Sequence, residues 1–382
     1  MKMRQTVLVR YGEIALKSEP VRKRFKDTLI KNMGQILDNN PKITTERGRI
    51  YIKNIDIEKA AKKASNIPGI VSTSPTHETE ADMEKIAKTA LEISDKAFTK
   101  DKTFAVRVRR TGSHDFESQD IAERVGSDIL EKFPKMDVDL DSPNHELHIE
   151  VREDQAYLFT EIFDGPGGLP VETQGKSIVM FPGNKDSMVA SYLTLKRGSK
   201  PLFLYPNTQD SKENLKKVLK SAKMLIKFHP RLDLVEIPFE NVRKTISKEV
   251  PSELRWILFE RFILKAGELL ADSVGAGALV SDVDLRDLKS YSLKNFSLVG
   301  EGIKLPFFHP LTGLDEDKIS ELDEYIRNSE FCSIDSRHNL FDPPRKEGFE
   351  LERIHNIEEN VSKKELIKSS LETREIHKIG DR

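Results

Sequence analysis

The 382-residue chain has one cysteine, Cys332, and one tryptophan. A lone cysteine excludes an internal disulfide and any zinc site built from several thiolates of one chain. No apolar run approaches the roughly 18 residues of a membrane-spanning helix, and the first residues lack the apolar core of a secretory signal. No membrane association and a cytoplasmic setting are the expectations. A charge of one sign is missing too: 62 Lys and Arg against 63 Asp and Glu leave −1, so the molecule as a whole is no polycation. Glycine-rich loops of the S-adenosylmethionine kind and tandem repeats are absent. What remains is a soluble globular composition, 33% charged and 37% apolar, long enough for two or three domains.

The charge is unevenly spread. Residues 1–35 hold nine basic side chains (Lys2, Arg4, Arg10, Lys17, Arg22, Lys23, Arg24, Lys26, Lys31) against three acids (Glu13, Glu19, Asp27). A basic patch on a neutral protein reads either as a local nucleic-acid footprint or as a solvated helix face.

Periodicity divides the chain into three stretches. In the first, strands are predicted at 5–10 and 49–53, helices at 20–37 and 56–65, and a further strand from Gly69. Val21, Phe25, Leu29, Met33 and Leu37 stack on one helical face. This alternation, with one strand of the strand–helix–strand–strand–helix–strand order not located, fits a ferredoxin-like sandwich. The second stretch predicts helices at 82–98 and 117–132 and strands at 103–109, 145–151 and 155–163. Arg107 and Arg109 share one face of their strand, and Arg110 follows. RNA phosphates and protection of a charged strand edge are the two readings. The turn-rich DGPGGLP at 164–170 marks a boundary. Beyond it, strands at 177–181, 201–205, 232–237 and 277–281 alternate with helices at 187–197, 211–228 and 254–272. That alternation predicts a doubly wound parallel sheet, with ligands at its C-terminal edge. The last 40 residues read as charged and helical or loosely packed.

Residues 177–197, SIVMFPGNKDSMVASYLTLKR, carry the chemistry. An apolar strand enters a Pro-Gly-Asn loop and then a helix. Amides and dipole at a helix N-terminus hold phosphate in such an arrangement. Asp186-Ser187 opens the helix and is the candidate N-cap and phosphate or Mg²⁺ ligand. The segment resembles the pyrophosphate loop of ATP pyrophosphatases, Ser-Gly-Gly-x-Asp-Ser. Gly183, Asp186 and Ser187 match. Pro182 stands where that pattern has Ser and offers no N–H. Asn184 stands for the second Gly and tolerates a left-handed turn. Lys185 adds a cation. The loop reads as a divergent ATP site or as a plain strand–helix turn.

Longer segments carry a wider resemblance. VRYGEIALKS at 9–18 with its basic helix, FAVRVRRTGSHDFESQDIAERVGSDIL at 104–130, GPGGLPVETQGK at 165–176 and NSEFCSIDSRHNLFDPP at 328–344 occur in this order. Together they resemble the tRNA 4-thiouridine synthase, or tRNA sulfurtransferase (ThiI), family over nearly the whole chain. The resemblance implies a ferredoxin-like module (1–75), a THUMP RNA-binding domain (76–165) and an ATP-pyrophosphatase-like domain with a charged tail (166–382). It implies adenylation of the O4 of uridine at position eight of tRNA, with release of pyrophosphate. A sulfur nucleophile, usually a persulfide, then displaces AMP.

By the same resemblance ATP, with Mg²⁺ if the protein is active, falls on Gly183, Asn184, Lys185, Asp186 and Ser187. Asp186 and Cys332 are the catalytic candidates. Arg107, Arg109, Arg110, Arg22, Lys23 and Arg24 are the RNA-binding candidates. No rhodanese extension of the kind some members carry is expected here, so a separate donor, a cysteine desulfurase or free sulfide, is expected to bring the sulfur. A homodimer stays open. SDVDLRDLKSYS at 281–292 replaces a glycine-rich family loop. Asp282 and Asp284 there read as Mg²⁺ ligands or as a solvated loop. Arg261 matches a family arginine, and a phosphate contact and a surface ion pair are equally open for it; Arg255 precedes it. The alternative for the whole is a tRNA-binding protein of this family that has lost its chemistry.

Overall fold

The computed structural model describes residues 4–37, 40–46, 48–209, 211–283, 293–327, 341, 344 and 348–380. The chain divides into two units at Gly168–Leu169, inside the turn-rich linker. Gly167 and Gly168 both take positive φ, 65° and 72°, a left-handed pair that side-chain-bearing residues rarely adopt.

The first unit opens with β1 (Arg4–Tyr11), α1 (Glu19–Ile36), β2 (Lys42–Glu46), β3 (Arg49–Lys53), α2 (Ile57–Ser65) and β4 (Ile70–Glu80). It continues with α3 (Met83–Ala97), β5 (Thr103–Thr111), α4 (Ser118–Lys132), β6 (Asp137–Val138), β7 (His145–Arg152), β8 (Gln155–Phe159) and β9 (Phe163–Asp164). Local signals start the helices. Asp56 and Asp82 accept the backbone N–H of Lys59 and Lys85, and Glu117 with Asp120 closes a capping box. Phe25, Leu29, Met33 and Leu37 are buried along α1, as the four-residue spacing predicts.

Among the described residues the strands join in one sheet, ordered β2-β3-β1-β4-β8-β7-β5-β6, with β9 also on β4. The ferredoxin-like set and the following module are therefore not separate sheets. The eleven-residue β4 is long enough to pair with β1 along most of its length and with β8 through His77–Glu80. Leu8, Tyr51, Tyr157 and Phe159 cluster across that seam, with the two tyrosine rings stacked 5.0 Å apart.

The second unit runs β10 (Lys176–Met180), α5 (Lys185–Lys196), β11 (Lys200–Asn207), α6 (Lys212–Met224), β12 (Leu232–Pro238), α7 (Glu240–Glu249), α8 (Arg255–Val274) and β13 (Leu279–Val280). Then come α9 (Leu293–Gly300), β14 (Phe307–Phe308), α10 (Glu316–Arg327), α11 (Leu351–Asn360), α12 (Lys363–Glu372) and β15 (Glu375–Ile379). The sheet order is β14-β13-β10-β11-β12-β15. The strands are parallel except β15, which lies antiparallel on β12 at the edge. Both faces are covered: Ile178 and Met180 join one apolar core, Val179 and Phe181 the other. A strand buried on both faces reads as a continuous apolar run, which is why SIVMF was legible. From β10 the chain winds outward through β11 and β12, then returns to β13 on the other side. The switch point, where doubly wound sheets bind ligands, thus lies between the C-terminal ends of β10 and β13.

Candidate active site and nucleic-acid surface

The loop after β10 sits at that switch point. Gly183 takes φ +86° and turns the chain into α5. The N-cap is Asn184, not the Asp186-Ser187 pair. Its Oδ1 accepts the Ser187 N–H at 2.9 Å, and its own backbone is extended (φ −75°, ψ 176°). The left-handed residue is the glycine alone, so Asn184 serves as an ordinary cap. The Ser187 hydroxyl is buried. It accepts the Gly183 N–H at 3.1 Å and donates to the Asn184 carbonyl at 3.0 Å. Ser221 on α6 donates to the Gly183 carbonyl at 2.9 Å and fastens the loop from below.

Two amides that would face an anion are thus satisfied within the loop. Lys185 pairs with Glu316 on α10 and reaches Ser320 Oγ at 3.5 Å. Asp186 lies close enough to Asp323 for its charge, added to burial, to help raise that carboxyl; Arg327 and Lys185 oppose the rise. The residues fit a phosphate ligand in kind: a glycine turn, a helix N-terminus, a carboxamide, a hydroxyl, a lysine and a carboxylate. Hydroxyl and carboxamide would exchange internal partners for phosphate oxygens.

Across the switch point, Ser281 and Asp282 follow β13. Glu260 on α8 faces Asp282, and burial together with that neighbouring charge pushes its carboxyl up to about 8. His309, after β14, is held between Phe296 and Phe307, and burial lowers its imidazole. Sequence reasoning missed both groups. Neither stands in a motif, and only the return of β13 beside β10 brings them here.

Arg261 is neither a phosphate contact nor a surface ion pair. It is 5% exposed, donates to Glu358 at 2.7 Å and to Glu301 and the carbonyls of Leu298 and Glu301, and anchors α9 and α11 to α8. Arg255 donates to the Val250 carbonyl. Asp284 and Cys332 lie outside the described residues.

In the first unit the RNA-binding candidates separate into two surfaces. A cavity of about 530 Å³ on the open sheet face is lined by Arg10, Arg107, Arg109, His148, Glu150 and Phe159, among others. Glu150 is its hub, meeting Arg10 at 3.3 Å, Arg49 at 3.1 Å and Arg152 at 2.8 Å. Burial alone would raise this carboxyl; the three guanidinium groups hold it below its ordinary range. Arg10 lies 4.9 Å over the Phe159 ring, against which His148 stacks at 5.1 Å. Arg107 is engaged by Glu146 and the Leu140 carbonyl, whereas Arg109 is exposed. Arg110 turns to the opposite face, toward the Gly112 carbonyl and His114. Lys23 and Arg24 line a shallow groove on α1 with Asp27 and Lys31, while Arg22 folds back on the Lys17 carbonyl.

Three family models match in chain order: the ThiI ferredoxin-like domain over 6–74, the THUMP domain over 80–161, and the thiamine biosynthesis protein ThiI over 172–341. A probable tRNA sulfurtransferase of Methanobrevibacter smithii is 34% identical over 339 residues, 86% of this chain and 88% of that one. The chain belongs to the tRNA sulfurtransferase family. Another family member, from Methanothermobacter thermautotrophicus, is 31% identical over 96% of this chain and 97% of its own. The crystal structure of a 4-thiouridine synthetase bound to RNA and ATP superposes with a TM-score of 0.84 at 25% identity, covering 98% of this chain and all of that one. The sulfurtransferase family thus accounts for both units and for their order.

Proposed function

We propose that this protein is the tRNA sulfurtransferase that makes 4-thiouridine at position eight of tRNA from ATP and a sulfur donor. The observation that carries the reading is the glycine turn and helix N-terminus at the switch point of a doubly wound sheet, in a chain that the ThiI ferredoxin-like, THUMP and ThiI models match in that order. Uridine O4 is a poor leaving group as a carbonyl oxygen. Adenylation converts it into a good one, and pyrophosphate departs. The α5 N-terminus, Lys185 and Ser187 would steady that departing charge, since fixed dipoles facing developing charge lower a barrier. Asp186 would hold Mg²⁺, whose contribution when bound is to neutralise the phosphates.

A persulfide on Cys332, more acidic and more nucleophilic than a thiol, would then attack C4 with its outer sulfur and release AMP; an external thiol reductant would cleave the resulting C4–S–S–Cys332 link, freeing 4-thiouridine and the Cys332 thiol. The outer sulfur of that persulfide would come from a separate cysteine desulfurase; free sulfide as donor would instead attack C4 directly, without Cys332. Arg109 on the sheet face and Lys23 and Arg24 on α1 would meet tRNA phosphates. With tRNA as substrate, the cytoplasm is the working compartment. No helix among the described residues is long and apolar enough to cross a membrane.

The deciding experiment is tRNA-dependent release of pyrophosphate from ATP by the purified protein, which needs no sulfur donor. Release that requires tRNA and is lost in Asp186→Ala supports the adenylating enzyme. Tight tRNA binding without release would instead identify a binding protein of the same family. Cys332→Ser should abolish 4-thiouridine formation and leave pyrophosphate release intact.

A further inference from the structure

β15 brings two side chains from the end of the chain against one from its middle. Glu375 lies directly opposite Glu236 in the antiparallel register, and His377, two residues on, points from the same face of β15. One ligand atom from each of the three lies within 4.8 Å of the others. We propose that Glu236, Glu375 and His377 form a site for a first-row divalent cation, and that Zn²⁺ suits it best.

Like charges directly opposite each other on neighbouring strands destabilise a sheet. Here two carboxylates face each other at the junction that attaches the terminal strand, an arrangement that a cation turns from repulsion into attraction. Glu236 is not a loose surface group: its side chain is 12% exposed. Its Oε1 accepts from Asn207 Nδ2 at 2.7 Å and its Oε2 lies 2.8 Å from His377 Nε2. Asn207 is itself buried and fixes the carboxylate from behind, the outer-shell support that metal ligands generally have. An imidazole with two carboxylates favours zinc over magnesium or calcium. Three protein ligands leave the fourth tetrahedral position to water. Metal there would pin β15 to β12.

The test is titration of chelator-stripped full-length protein with ZnCl₂ by calorimetry, alongside thermal unfolding. We expect one equivalent to bind and the melting temperature to rise by about 5–10 °C at a hundredfold excess over the dissociation constant. Glu375→Gln, at an exposed position, keeps the fold and should abolish both effects; His377→Ala should do the same. Asn207→Ala should weaken binding by about tenfold. Cys332→Ser should bind zinc as the parent does. Binding that survives Glu375→Gln and His377→Ala, binding that disappears in Cys332→Ser, or no stoichiometric binding at all would overturn the proposal.

Discussion

Asn184 departs from the glycine of the pyrophosphate-loop pattern, and its role is now definable. It caps α5 through its carboxamide, which holds the Ser187 N–H away from any anion. Replacing an Asn cap with Ala costs about 1 kcal/mol, whereas Gly costs only a few tenths. Asn184→Gly should therefore leave stability nearly unchanged in urea titration while increasing tRNA-dependent pyrophosphate release. Asn184→Ala should lower stability by about 1 kcal/mol. Equal release from Asn184→Gly and parent would mean that the carboxamide does not obstruct the phosphates. Glu260 supports a second expectation at this scale. Its carboxyl is raised to about 8 in the folded protein from an ordinary 4.5, so the folded state favours its proton. The stabilisation is complete below about pH 4.5 and is lost as pH rises through about 8. Glu260→Gln should flatten the fall of melting temperature across that window and make the variant the more stable form above pH 8.

The loop is held by neighbouring elements as much as by its own residues. Ser221 on α6 donates to the Gly183 carbonyl, and β10, β11 and β13 set the loop's height by register. In the first unit the corresponding constraint is where β9 closes on β4. A Cβ on Gly165 would stand 2.4 Å from the Ile70 carbonyl oxygen and 2.9 Å from that of Ser65. Both are backbone atoms, so no side chain can give way. Gly165→Ala should destabilise by about 1–3 kcal/mol, the usual range for overpacking, read from chemical denaturation followed by circular dichroism.

Net charge of −1 means that tRNA attraction must come from local surfaces rather than from the whole molecule. Two basic surfaces among the described residues of the first unit are the candidates, one around Arg109 and one around Lys23 and Arg24. Each basic side chain withdrawn from a phosphate should lower the slope of log affinity against log salt by about one. Arg109→Glu and the pair Lys23→Glu with Arg24→Glu, measured separately by filter binding across a salt series, should each reduce affinity and slope. A surface whose charge reversal leaves both unchanged does not touch tRNA.

The sequence by itself determined the principal strands and helices up to β13 and their order, though not β2, β6, α7 or the elements that follow β13. Periods of two and near four residues marked the strands of the first unit and the buried face of α1. The continuous apolar run of β10 and the glycine after it located the candidate loop. These signals are local, because backbone geometry repeats over a few residues. The tertiary structure alone decided what the polar groups do. Lys185 meets Glu316, Arg261 is buried against Glu358, and Arg107 is engaged by Glu146, pairings across 131, 97 and 39 positions that periodicity does not encode. It also fused two modules into one sheet through β4, and placed β15 antiparallel on β12 from within a charged tail. Each of these outcomes is a long-range partnership, fixed only when burial leaves a polar group or a strand edge one place to be satisfied.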